Sequence, residues 1–525
     1  MSENQKFYDQ KIKSYNENIC DALTPTNSAY VNLANYKPQL FFYNSSNIFT
    51  MNFLIFISLI LFSLPISTST TIYNITLANQ KIFVNVTFDI NSEQAFDVWR
   101  VTWEIPHKYD ILSIKDEIGY VSFDSKEGYV YFETNPLRSK RRVINIQYFI
   151  NDAISEEYGQ LKKVRLYLSG FEGEKTIINV YLPKIISGDA SFGFSEYFDD
   201  NFAQFVGFGA ADILLYYSFS GREYENYVVF GPAEFKVADR MFSLVTNITG
   251  VKKPYKRFPV VVIDDNLFES KIQPWGTASH LRGGLILMKK SVANGPYNAS
   301  ILLHETTHGI NAKVLKWNKA NSTWFEEGTA SFVEYLANQM LGLQQSELFG
   351  KDKTVKKDGE KIIFKSKGRA EELWDYYKHG NDFMYYWTPE NGELRDFGYA
   401  FSELVIRYAV KKNGIGKLKE TYLELSKINK TVSDSIEATN ILLSSLDTNF
   451  MPCYSVDRLT FEKCLQEINE QKFTFSDATA IQVTNTEIVN ETIEIKQAPK
   501  IIDKNVSLMS FLNNIIENIL RIFKR

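Results

Sequence analysis

Residues 304–308 read His-Glu-Thr-Thr-His, and Glu327 follows after eighteen intervening residues, 309–326. That spacing dictates local structure. On a helix, positions i and i+4 lie one turn apart on one face, so His304 and His308 can aim both imidazoles at a single point. Two imidazoles alone do not complete a metal site. Catalytic zinc takes three protein ligands and keeps a fourth position open, so the third ligand has to arrive from the next element. Residues 324–330 read Trp-Phe-Glu-Glu-Gly-Thr-Ala, and a second helix over about 327–341 would present Glu327 across the first. Water on such an ion falls in pKa from about 15.7 toward 7, within reach of a neighbouring carboxylate, here Glu305. The chain has only five histidines, and two of them fall in this motif. His107 and His379 read as structural. His280 reads as a surface or satisfied core histidine in preference to a substrate contact.

A chain of 525 residues exceeds what one core needs, so two to four domains are expected. Residues 71–190 read as β structure. Ile82, Val84, Val86, Phe88 and Ile90 alternate with more polar neighbours, and so do Trp99, Val101, Trp103 and Ile105. Further short runs follow at 129–132, 143–150, 164–168 and 177–182, which suggests an antiparallel, sandwich-like domain. The stretch 202–220 is long and apolar, with helical potential. Residues 257–264 and 284–288 read as buried strands, and 298–313 as the helix that carries the two histidines. Past the second helix the chain reads as mainly helical to about 470. The expected architecture is therefore α+β, with a β-rich domain over 71–190, a catalytic unit over 191–345 and a helical region over 346–470. A polar linker over 471–505 and an amphipathic helix over 506–525 complete it.

Both ends carry apolar segments. Residues 53–66 are uncharged and apolar, begin just after Met51 and are followed by small residues. The run is short for a membrane span. It reads as a signal peptide starting at Met51, with 1–50 an upstream extension, or as a signal anchor reaching back to Ile48; a buried core segment is the third reading. The first two place the rest of the chain outside the cytoplasm, at the cell surface or beyond. Within 506–525, Leu508, Phe511, Leu512, Ile515, Ile516, Ile519 and Leu520 fall at helical spacing. That helix could lie on a membrane or dock on the protein itself. Membrane association is thus expected only through 48–66 or 506–525. The formal charge is −4 and no Lys/Arg block stands out, so nucleic acid is not an expected partner. Of three cysteines, Cys453 and Cys464 could form one bridge or remain two buried thiols.

The segment His304–His308, the eighteen-residue gap and Trp324–Tyr335 resemble the gluzincin signature of the aminopeptidase-N-like zinc metallopeptidases. Those enzymes carry HExxH and a Trp-Leu-Asn-Glu-Gly-Phe-Ala segment at this interval. Trp324, Glu327, Gly328 and Ala330 match that segment, while Phe325, Glu326 and Thr329 depart from it. The resemblance covers about residues 255–425. It implies a thermolysin-like catalytic domain, one zinc per chain, Glu305 as base, and Glu334 buttressing a zinc-binding histidine. It also implies a tyrosine that hydrogen-bonds the tetrahedral intermediate, with a glycine fifteen residues later. Tyr399 and Gly414 fit that interval, although Phe401 and Ser402 replace the family's x-Lys-Gly. Tyr376, Tyr377, Tyr385 and Tyr386 are rivals for the role.

One departure bears on substrate. The aminopeptidases carry Gly-x-Met-Glu-Asn on the edge strand before the HExxH helix, and its glutamate grips the substrate's amine. Here residues 282–291, Arg-Gly-Gly-Leu-Ile-Leu-Met-Lys-Lys-Ser, contain no acid. The expectation is that Gly283, Gly284 and Leu285 pair with an extended peptide through their backbone, which favours an endopeptidase over an aminopeptidase. A peptide or protein substrate follows from this reading. A non-catalytic binding scaffold on the same fold, or a zinc hydrolase of a non-peptide substrate, are the alternatives.

Overall fold

The computed structural model describes residues 69–158, 161–252, 254–315, 322–343, 352–357, 360–365, 383–390, 395–428, 432, 434–449, 452–453, 455 and 457–469. These lie within one compact unit. The fold is mixed α/β, with several sheets followed by helices. The apolar run 53–66, the linker 471–505 and the helix proposed over 506–525 lie outside the described residues. Among the described residues, no helix is long and apolar enough to cross a membrane.

The first part is built from a seven-stranded, a four-stranded and a three-stranded sheet. Period-two alternation sends Tyr73, Ile75, Val84, Val86, Ile144 and Ile146 into one shared core. The pairing is not wholly antiparallel, because Thr70–Ala78 runs parallel to Lys175–Tyr181. The long connection between those two strands allows this, and a pattern of single strands does not reveal it.

The strands also continue past residue 190. The stretch expected to have helical potential forms two strands, Phe202–Phe208 and Ala211–Tyr217. From Ile213 to Tyr217 the second shows no polar alternation because it is buried on both faces. Ile213, Leu215 and Tyr217 enter the β core, while Leu214 and Tyr216 pack on the sheet of the following unit. A short apolar run carries no periodicity to separate strand from helix.

That following sheet has five strands in the order Arg222–Glu223, Tyr227–Phe230, Phe258–Ile263, Leu285–Lys289 and Ala278–Leu281. The middle three are parallel and the last is antiparallel to its neighbour. Both faces are covered, one by the β part and the other by the helix Asn298–Val314, so the central strands read as continuous apolar runs. The helix Asn298–Val314 packs against the helix Thr323–Met340, which packs against the helix Arg395–Asn413. Thr323–Met340 starts four residues before the expected 327. Beyond it lies a hairpin, Asp352–Lys357 with Glu360–Lys365, where helix was expected. Cys453 and Cys464 are joined in a disulfide.

Candidate metal centre

The two histidines leave one face of the helix Asn298–Val314, and Glu327 meets them from the first turns of Thr323–Met340. Apolar residues at Leu302, Leu303, Ile310 and Val314 bury the remainder of the first helix. His304 Nε2 lies 3.1 Å from His308 Nε2. Glu327 Oε2 lies 3.5 Å from the former and 3.3 Å from the latter. A tetrahedral zinc with ligand bonds of about 2.0–2.1 Å requires about 3.3 Å between its donors, so the triangle has the size such an ion needs. Glu327 Oε2 is also buried with no hydrogen-bond partner. A buried carboxylate oxygen facing two imidazole nitrogens is costly unless something cationic satisfies it. Among the described residues, His304, His308 and Glu327 are the one group of such side chains close enough to share an ion. The residues therefore fit zinc.

Electrostatics agree. Burial pushes the Glu327 carboxyl upward, but His308 and His304 outweigh it and hold it at about 2. It is an anion at neutral pH. Glu305 is only 7% exposed; burial raises its pKa, and Glu327 adds to the rise, while the two histidines and the backbone N–H of His280 lower it. A carboxyl poised upward in this way suits a group that both takes and returns a proton. Glu334 Oε2 stands 3.0 Å from His304 Nδ1, although the N–H is not aligned for a full hydrogen bond.

Tyr399 belongs to Arg395–Asn413. Burial, then the charges of Glu327 and Glu305, push its pKa far above the ordinary tyrosine value, so the hydroxyl keeps its proton and remains a donor within reach of the field of both carboxylates. Trp387 packs edge-on against its ring at 5.4 Å. Of the rivals, Tyr376 and Tyr377 lie outside the described residues, and Tyr386 is 60% exposed.

Gly283, Gly284 and Leu285 are not placed as expected. Leu285 opens a strand that is paired on both sides, by Phe258–Ile263 and by Ala278–Leu281. It has no free edge and is 1% exposed. Gly283 and Gly284 form the turn between the two last strands at φ of 80° and 86°. Side chains would meet Tyr216 and Tyr255 there at 2.9 Å, so these glycines serve turn geometry and close packing. The free edge belongs to Ala278–Leu281, whose His280 N–H reaches Glu305. A strand of four residues with mixed pattern gave the sequence reading little to find. His280 itself is a packed residue. Burial pushes it down to about 3, and its ring lies against Gly309 and Tyr255. His107 is structural, bonded to Asp152 and to the Tyr167 N–H.

No protein-family model matches the chain. It is 27% identical over 205 residues to the collagenase ColT of Clostridium tetani, a match that covers 36% of this chain. The chain spans 19% of that curated relative's length. Among solved structures it is similar to an M1 zinc metallopeptidase of Deinococcus radiodurans, at 12% identity and TM-score 0.33, covering 75% of this chain and 92% of that one. It is also similar to an aminopeptidase N family protein of Idiomarina loihiensis, at 12% identity and TM-score 0.39, covering 75% and 78%. In its motif the chain resembles the gluzincin zinc metallopeptidases, and the proteins it matches are a collagenase and members of the M1 and aminopeptidase N groups.

Proposed function

We propose that this chain is a zinc-dependent peptidase that favours internal peptide bonds. The observation that carries the proposal is the convergence of His304, His308 and Glu327 within 3.1–3.5 Å, with Glu305 buried beside them. His304, His308 and Glu327 would hold one zinc ion. When bound, zinc supplies a Lewis acid that acidifies water to about pKa 7 and polarises a carbonyl.

The other steps belong to the chain's own side chains. Glu305 takes the proton of the attacking water and passes it to the leaving amine. Tyr399 donates a hydrogen bond to the developing oxyanion, a contact worth about 10²–10³ in rate where one such donor has been removed. Glu334 orients the His304 ring from behind. An extended substrate pairs with the free edge of Ala278–Leu281. We read the mixed five-stranded sheet, with its antiparallel edge beside the HETTH helix, as a thermolysin-like unit.

Ala278–Leu281 carries no acidic side chain to hold a substrate amine, which supports the endopeptidase preference. The disulfide and the apolar run 53–66 support a location outside the cytoplasm. Cleavage of a mixed peptide library tests the proposal. Internal cuts that fall about 10²–10³-fold in Tyr399→Phe are expected. Release of single N-terminal residues would overturn the endopeptidase reading, and an unchanged Tyr399→Phe would move the oxyanion role elsewhere.

A further inference from the structure

The edge strand is preceded by Trp275, and the helix that carries Tyr399 begins with Arg395. The Arg395 guanidinium lies 4.0 Å from the centre of the Trp275 ring. Its Nε donates to the Pro389 carbonyl at 2.6 Å. Trp275, 37% exposed, covers one face of the group. This stack joins the loop before the edge strand to the helix that carries Tyr399. It also lies beside the chemistry, because Arg395 and Tyr399 are i and i+4 on one helix and share a face. Among the charges that act on the Tyr399 hydroxyl, Glu390 raises its pKa and Arg395 lowers it.

Among the described residues, no carboxylate comes within 4.0 Å of this cation. Among the described residues the other half-buried arginines are paired: Arg282 with Asp189 and Asp212, Arg257 with Glu223, Arg458 with Glu462. Arg395 is held in place by an aromatic face and a backbone carbonyl instead. Its two terminal nitrogens, the fork that grips a carboxylate bidentately, meet no carboxylate among the described residues. The edge strand meanwhile offers no anion for a substrate amine.

Resting on the peptidase reading above, we propose that Arg395, stacked on Trp275, sets the specificity of this site by binding a carboxylate of the peptide. That carboxylate is either an acidic side chain or the chain's own C-terminus. The stack costs the substrate little ordering, since the guanidinium is already oriented. Lysine would keep the charge but lose the fork and much of the stacking.

The test uses zinc-loaded full chain carrying Glu305→Gln, so that binding is read without turnover. One peptide is compared in three forms: neutral with an amidated end, with Glu replacing an internal Gln, and with a free C-terminal carboxylate. Calorimetry and tryptophan fluorescence give each affinity. One carboxylate form is expected to bind about 10–100-fold more tightly than the neutral form, the range for a hydrogen-bonded ion, and which form does so identifies the source. Arg395→Gln is expected to reduce that ratio to about one, and Arg395→Lys to leave about three- to tenfold. A ratio near one in the parent, or a ratio unchanged in both Arg395 variants, overturns the proposal. If wild type cleaves no peptide yet the ratio is present and depends on Arg395, the peptidase reading falls while the carboxylate site stands.

Discussion

Gly328 follows Glu327, the proposed metal ligand, and lies where the helix Thr323–Met340 meets Arg395–Asn413. A Cβ built there would stand 2.5 Å from the Ser402 carbonyl oxygen, 2.8 Å from its carbon and 2.9 Å from Ile406 Cγ1. Ordinary contact begins near 3.4 Å, so 3.4 − 2.5 leaves about 0.9 Å to be found. The obstacle is backbone, and only a shift of one helix against the other can supply it. Overpacking of this kind costs about 1–3 kcal/mol, while replacing glycine by alanine inside a helix gains about 1 kcal/mol. The net loss of stability in Gly328→Ala is therefore small, about 0–2 kcal/mol. Its effect on rate is not small. The two helices carry Glu327 and Tyr399, and a misplacement of about 1 Å costs about 10²-fold. The assay pairs a thermal melt with kcat on a peptide substrate and with zinc content. Gly416→Ala, where nothing lies within 4 Å, is the silent control. A Gly328→Ala enzyme that turns over within twofold of wild type would refute the reasoning.

Two further outcomes follow from the surroundings of the site. Lys313, near the end of the HETTH helix, donates to Asp189 at 2.6 Å and to Glu196 at 2.8 Å across to the β part. Lys313→Met leaves Glu196 without a cation and Asp189 with Arg282 alone, about a fifth of each carboxylate being exposed, and should cost about 2–3 kcal/mol, below the 3–5 of a fully buried pair. Burial pushes the Asp189 carboxyl up, but Lys313 and Arg282 outweigh it and hold it below 3.8. Its contribution is thus present above that value and lost as pH falls through the lowered folded value. Denaturant melts should show the cost greatest near pH 7 and shrinking below about pH 4; a cost independent of pH would contradict the pairing. Glu334→Ala removes the partner 3.0 Å from His304 Nδ1 and should weaken zinc affinity about 10–100-fold in a chelator competition, whereas unchanged affinity would remove Glu334 from the site.

The candidate metal triad was legible because its geometry is local. His304 and His308 share a helix face whatever the remainder of the chain does, and Glu327 needs only the next helix to cross. The β part was legible where one face is wet, as at Val84 and Val86. It was illegible at Ala211–Tyr217, where a strand buried on both faces loses its alternation. The edge strand escaped for a different reason. Gly283–Leu285 precede an apolar run and look like the start of an edge, but pairing order is a tertiary fact, and Ala278–Leu281 returns outside them. The stack of Arg395 on Trp275 joins residues 120 positions apart, 395 − 275, and no local pattern announces it.

The central claim is that the triad binds the metal and Glu305 works beside it. Zinc content of the purified protein, measured together with peptide cleavage by wild type and Glu305→Gln, tests it most directly. The account predicts one zinc per chain in both proteins and cleavage by wild type alone. A folded protein without zinc, or a Glu305→Gln variant that cleaves as fast as wild type, would contradict it.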